Sequence, residues 1–310
     1  MPTPVCVWPL AAELGEGPLW QAAENAVYFV DIKGRRIHRL TVTTGEHRTW
    51  QAPGQPGFIV PCGDRAFVCG LPDGLYRFDA TSGQFDKLVD VEPHLPGNRL
   101  NDGFVDALGR LWFGSMDNAE QAPSGTLYRV SEDGALIAQD DGYVITNGPA
   151  MSPDGRTLYH GDTMRRVVYA FDVAADGALS RKRVFAEISG EGYPDGMAVD
   201  AEGFVWIALF GGWRIERYSP AGERVGEVRF PCANITKLAF GGDDLQTVYV
   251  STAWKGLSAF EREQQPYAGG LFTFRSPAPG QIQARCKAGF ARECAQDRLA
   301  GHSAGNRVTE

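Results

Sequence analysis

Four short words of this sequence place an acid, an amide or a guanidinium beside glycine or proline. Glu16 lies in Leu14-Gly15-Glu16-Gly17-Pro18, Arg99 and Asn101 in Arg99-Leu100-Asn101-Asp102-Gly103, Asn147 in Thr146-Asn147-Gly148-Pro149, and Asp195 in Tyr193-Pro194-Asp195-Gly196. Glu16, Asn147 and Asp195 offer hard oxygen donors. Such a set suits one divalent cation with open positions for water: Ca²⁺, Mg²⁺, Mn²⁺, Zn²⁺ or Fe²⁺. Arg99 and Asn101 offer a planar donor fork and an amide, a pair matched to polyol or carboxylate oxygens. Taken singly, each word is also ordinary turn vocabulary, and the surface turn is its plainest reading.

What brings the words together is a repeat. Six strand-like runs begin near Asn25, Asp64, Gly109, Gly155, Gly203 and Leu245: NAVYFVDI, DRAFVCGL, GRLWFGSM, GRTLYHGD, GFVWIALF and LQTVYVST. Each is followed by a second strand with an aromatic or basic centre: RIHRL, GLYRFD, TLYRV, VVYAFD, RIERYS and GGLFTF. A period of roughly 40 to 50 residues with turn-strand-turn-strand content marks the blades of a propeller. The fold class is therefore all-β, a six-bladed β-propeller of four-stranded antiparallel blades. Glu16 precedes the run at Asn25 by nine residues, and Asn101, Asn147 and Asp195 each precede theirs by eight. Equal phase sends all of these side chains to one end of the propeller axis, where they form a central metal site.

The rest of the chain narrows the alternatives. Apolar residues on both faces of the strands suit sheets packed between neighbours. The 38 glycines fit a tight turn every eight to twelve residues better than a helical protein, and no segment reads as an amphipathic helix. The run from Pro4 to Leu10 is expected to complete the last blade. The propeller then spans residues 1–285, and residues 286–310 form a polar, frayed tail. A net charge of −8 without a Lys/Arg-rich run argues against nucleic acid. No apolar stretch has the length of a membrane span, and the N-terminus has no signal-peptide pattern. The expected setting is cytoplasmic and the expected state a monomer. The six cysteines lack zinc or Cys-x-x-Cys spacing, and several lie in apolar runs where a buried thiol acts as a small hydrophobe. The five histidines form no ligand-spaced pair, and G-x-S-x-G and H-E-x-x-H are absent.

The words LGEGPLW, RLNDGFVDALGRLWFGSM, ITNGPAMSPDGRTLYHGDT, YPDGMAVDAEGFVWIALFGG, FGGDDLQTVYVSTA and YAGGLF cover nearly the whole chain. In this order they resemble the senescence-marker-protein/gluconolactonase family of regucalcin-like propellers, its bacterial sugar lactonases above all. The resemblance implies one divalent metal on Glu16, Asn147 and Asp195, with Arg99 and Asn101 as substrate contacts. A further family acid falls at Glu120, to within a residue. Thr236-Lys237 departs from the Thr-Ser of many members, and His160 is expected near the mouth as a hydrogen-bonded histidine. The implied activity is metal-dependent hydrolysis of a small-molecule pentono- or hexonolactone, with Asp195 serving the attacking water. The alternatives are a calcium-binding regulatory propeller without important turnover, or hydrolysis of other lactones or organophosphate esters.

Overall fold

The computed structural model describes residues 2–287 and 289, and shows six four-stranded antiparallel sheets around one axis. Five blades are built from consecutive strands. The sixth is ordered Val5–Trp8, Leu271–Arg275, Thr247–Ala253, Asn234–Gly241, so the N-terminal strand forms its outer edge and closes the ring. The first strand of each blade is innermost: Gly15–Gln21, Phe58–Pro61, Asn98–Val105, Thr146–Met151, Tyr193–Val199 and Asn234–Gly241. Each packs on the next around the axis, and the last returns to the first. Gly15–Gln21 is buried throughout, whereas the outer strand Glu46–Gln51 is mostly exposed.

The packing between blades is aromatic, as expected for strands apolar on both faces. Tyr28 and Trp50 of blade 1 pack with Phe67 and Phe78 of blade 2. Trp206 of blade 5 packs against Phe240 and Phe274 of blade 6. One turn device appears twice. In Asp106-Ala-Leu-Gly-Arg-Leu-Trp112 and Asp200-Ala-Glu-Gly-Phe-Val-Trp206 the aspartate accepts from the indole N–H six residues on, at 3.0 and 2.9 Å. Its other oxygen accepts two backbone N–H groups of the turn.

A strap after the last strand crosses the far end of the axis. The Pro279 carbonyl accepts from Ala201 N at 2.9 Å, and the Gln281 amide donates to the carbonyls of Met151 and Val199 at 3.0 and 3.1 Å. Backbone bonds then pin Cys286 to Pro61 and Lys287 to Gly109. The expected boundary at residue 285 thus falls within the strap. Residues 288 and 290–310, most of the expected frayed tail, lie outside the described residues.

Two features were not foreseen. A single helical turn and a half, Ala259–Gln264, is closed by a Ser258/Glu261 capping box and buries none of its side chains. Cys69 and Cys232 are buried free thiols as expected, but Cys62 is disulfide-bonded. Among the described residues no helix is long and apolar enough to cross a membrane.

Candidate functional site

The four polar words are not turns. All lie within innermost strands, and at each the pairing to the next strand slips: between Glu16 and Leu19, Leu100 and Gly103, Asn147 and Ala150, Pro194 and Met197. An innermost strand has one free edge, facing the axial channel, so it tolerates the proline and glycine that a central strand would reject. The β-bulge turns the local side chains off the sheet face and toward that channel. Gly17, at φ 54°, supplies the left-handed residue that the first bulge needs.

The result is a cavity of about 270 Å³ at the mouth, lined by Glu16, Arg99, Asn101, Glu120, Asn147 and Asp195 among others. All six residues named from the sequence therefore meet in one space. Arg99 Nη1 donates to Asn101 Oδ1 at 2.6 Å, and Asn101 Nδ2 donates to the Thr146 carbonyl at 2.6 Å and to Asn147 Oδ1 at 3.1 Å. Asn147 Nδ2 donates to Thr163 Oγ1 at 2.8 Å, and that hydroxyl donates to the Pro194 carbonyl at 2.8 Å. This chain of bonds fixes the amide of Asn147 with its oxygen on the Asn101 side. It also couples blade 3 to blade 5 through blade 4.

The two acids are buried together. Burial, helped by the negative charge of Asp102, pushes the Glu16 carboxyl up to about 8. Burial raises Asp195 well above the usual carboxylate range, assisted by the charges of Glu16 and Asp102 and by a hydrogen bond with Glu16. Two adjoining buried carboxylates repel each other when both are ionised, and a cation between them removes the conflict. Two carboxylates plus a fixed amide oxygen fit a hard or borderline divalent ion. Among the described residues no cluster of three or more His, Cys, Asp or Glu side chains has metal-binding geometry, so a cation held here would need the Asn147 oxygen as its third donor.

Beneath the acids Lys237 of blade 6 reaches across the axis. Its ammonium contacts Asp102 and donates to the Gly103 carbonyl at 3.3 Å. Its stem runs against Gly196, where a Cβ would come within 2.5 Å of Lys237 Cγ. Lys237 also lines a second axial cavity of about 100 Å³ whose far side is the strap at Gln281. The position that departs from the expected Thr-Ser therefore forms a charged floor. Asp117 is turned away from the cavity, accepting three N–H groups of its own loop, which leaves Glu120 as the acid on the wall. His160 does not line the cavity. It is fully buried, with Nδ1 on the Gly161 carbonyl and its ring 4.8 Å from that of Tyr143.

Sequence reading missed Thr163, Tyr193, Phe210 and Lys255, which also line the mouth. A signal for three of them existed. The end of each blade's second strand returns to the same rim as the start of its first, so residues at or just after the ends of GRTLYHGD, GFVWIALF and LQTVYVST share the site with those in the bulges.

Fold and site together define a six-bladed propeller whose mouth holds a pocket lined by three acids, two amides and a guanidinium. Residues 14–254 match the SMP-30/gluconolactonase/LRE-like region, and the chain belongs to that family. It is 34% identical over 278 residues to 6-deoxy-6-sulfogluconolactonase of Pseudomonas putida, covering 89% of this chain and 95% of the relative. It is also 34% identical over 278 residues to L-arabinolactonase of Azospirillum brasilense, covering 88% and 91%. The structure of a calcium-binding protein, regucalcin, from Agrobacterium tumefaciens superposes with a TM-score of 0.87 at 27% identity, over 90% of this chain and 96% of that one.

Proposed function

We propose that this protein is a metal-dependent lactonase that opens a sugar aldonolactone, of pentonic or hexonic length, to the free sugar acid. One observation carries the reading: Glu16, Asn147 and Asp195 line one cavity with the buried Arg99 and Asn101. Relatives named as sugar lactonases support it. Glu16, Asn147 and Asp195 would hold one divalent cation, which when bound supplies Lewis-acid polarisation of the lactone carbonyl. Asp195 orients the attacking water and accepts its proton as the water oxygen bonds to the carbonyl carbon. That proton passes to the ring oxygen as the ester C–O bond breaks, so lactone and water give the hydroxy acid. Arg99 and Asn101 hold substrate oxygens and fix the reacting carbon over the acids.

The regucalcin-like alternative, ion binding without turnover, is supported by the likeness to a calcium-binding propeller. It leaves the buried Arg99 unused, since a cation site has no need of a guanidinium on its wall. The deciding experiment is a panel of sugar lactones assayed on protein reconstituted with each divalent ion, with and without chelator. Chelator-sensitive ring opening that Asp195→Asn abolishes in a folded protein is the expected result. Absence of turnover on every lactone would leave the ion-binding reading in its place.

A further inference from the structure

Three cations from three blades gather at the mouth: Arg99 and Lys255 line it, and Lys33 stands within reach of both. Arg99 is 2% exposed, yet among the described residues no carboxylate pairs with it directly. Its Nη1 is spent on Asn101 and the Leu100 carbonyl, while Nε, also buried, has no partner. A guanidinium taken out of water with donors unused is costly unless a ligand completes it. Lys255 of blade 6 crosses the mouth to pair with Glu120 of blade 3. Lys33 of blade 1 reaches the same loop, donating to Asn118 Oδ1 at 3.0 Å and to Gln55 Oε1 at 3.4 Å. That loop is held rigid by Asp117, which accepts from the N–H groups of Ala119, Gln121 and Ala122.

The charges do not balance. With a divalent ion between Glu16 and Asp195 the acid pair is neutral. Of the charged residues lining the cavity, Arg99 and Lys255 then face Glu120 as the one acid left uncompensated, and Lys33 adds its charge beside them. The mouth is thus positive in a chain whose net charge is −8. A neutral polyol satisfies guanidinium donors one hydroxyl at a time, whereas a carboxylate accepts two parallel N–H bonds.

We propose that Arg99, Lys255 and Lys33 form an anion subsite that takes a carboxylate carried by the lactone at the end remote from its reacting carbonyl, so that the substrate is an acidic sugar lactone. The proposal rests on the lactonase reading above and specifies its substrate class. Glu120 already rests a carboxylate on Lys255, and the substrate's carboxylate exchanges with it. The Lys255 and Glu120 side chains are 29% and 33% exposed, and partly exposed pairs of this kind hold weakly. The exchange therefore opens a weak pair while Arg99 gains its missing partner.

The test compares kcat/KM for an aldarolactone, which carries a free carboxylate, with that for the neutral aldonolactone of the same ring, on metal-loaded protein. The expected ratio favours the acidic lactone by at least about tenfold and shrinks as salt is added. Lys33→Met/Lys255→Met, both at partly exposed positions, should shrink the ratio severalfold toward one while Arg99 retains part of the preference, and Lys255→Arg should keep it. A ratio of one or less in the native protein, or a ratio that the double substitution does not move, overturns the proposal. If neither lactone is hydrolysed, the lactonase reading fails separately. Calorimetric binding of the open-chain sugar diacid against the monoacid then decides the subsite: tighter diacid binding sustains it, and equal or weaker binding overturns it.

Discussion

The ammonium of Lys237 contacts the carboxylate of Asp102, although 135 residues separate them in the chain, and the two side chains are only 10% and 3% exposed. Glu16 feels both charges. The pair closes the axial channel directly under the acids, so it bears on stability and on the charge of the site at once. Breaking a buried pair from one side strands the other ion in the interior. Lys237→Met is expected to destabilise the fold by about 3–5 kcal/mol, and adding Asp102→Leu should recover much of that loss. Urea unfolding of the two variants checks it, with additivity of the single substitutions as the contrary result.

The acid pair predicts a trade between stability and function. Without a cation, Glu16 and Asp195 burden each other, so Glu16→Gln should raise the melting temperature of metal-free protein. The same substitution should abolish the further rise that a divalent ion gives the native chain. Thermal scans with chelator and with each ion decide both parts. A lower melting temperature for the metal-free variant would contradict the account.

Asn101 holds Asn147 without belonging to the proposed ligand set. Its Nδ2 bonds both Thr146 O and Asn147 Oδ1. Asn101→Ala should leave the chain folded and weaken ion affinity by about 10- to 100-fold, the usual consequence of losing a partner that orients a ligand. Titration of apo protein with the ion, independent of turnover, measures it.

Two buried histidines set an acid limit. Burial pushes His38 and His160 down to about 4 each, so both are neutral in the folded chain near pH 7. Unfolded, they take up protons below about 6.5. The unfolded state therefore binds more protons between pH 6.5 and 4, and stability present above 6.5 is lost as pH falls through that window. The expected loss between pH 7 and pH 5 is about 2 kcal/mol for each histidine. Denaturant titrations of metal-loaded protein at the two pH values test it, because without the ion the raised Glu16 and Asp195 carboxyls take up protons in the folded state and oppose the trend; His38→Phe/His160→Phe should flatten the dependence.

Blade number and the closing role of Pro4–Leu10 were legible because strand periodicity and turn residues recur at each blade. The grouping of Glu16, Arg99, Asn101, Asn147 and Asp195 was legible for the same reason, through equal phase. What misled was local vocabulary. Asn-Gly-Pro and Pro-Asp-Gly read as turns because they interrupt alternation, but on a channel-facing edge that interruption is a bulge inside a strand. Lys237 was visible as an odd residue, yet no local pattern could pair it with Asp102, since only ring closure brings blade 6 across from blade 3. The roles of Lys33 and Lys255 were hidden likewise, because rim loops carry no strand period.

The closing strand has a consequence for how this protein is made. Val5–Trp8 leaves the ribosome about 260 residues ahead of its partner, Leu271–Arg275. At roughly 5–20 residues per second, the opening segment waits on the order of 10 to 50 seconds with its edge unmatched. During that wait the apolar Val5, Val7 and Trp8 are open to chaperones, to neighbouring nascent chains and to the unfinished last blade of another copy. Yield in the cell should therefore respond to changes in this strand more sharply than the stability of the finished ring does.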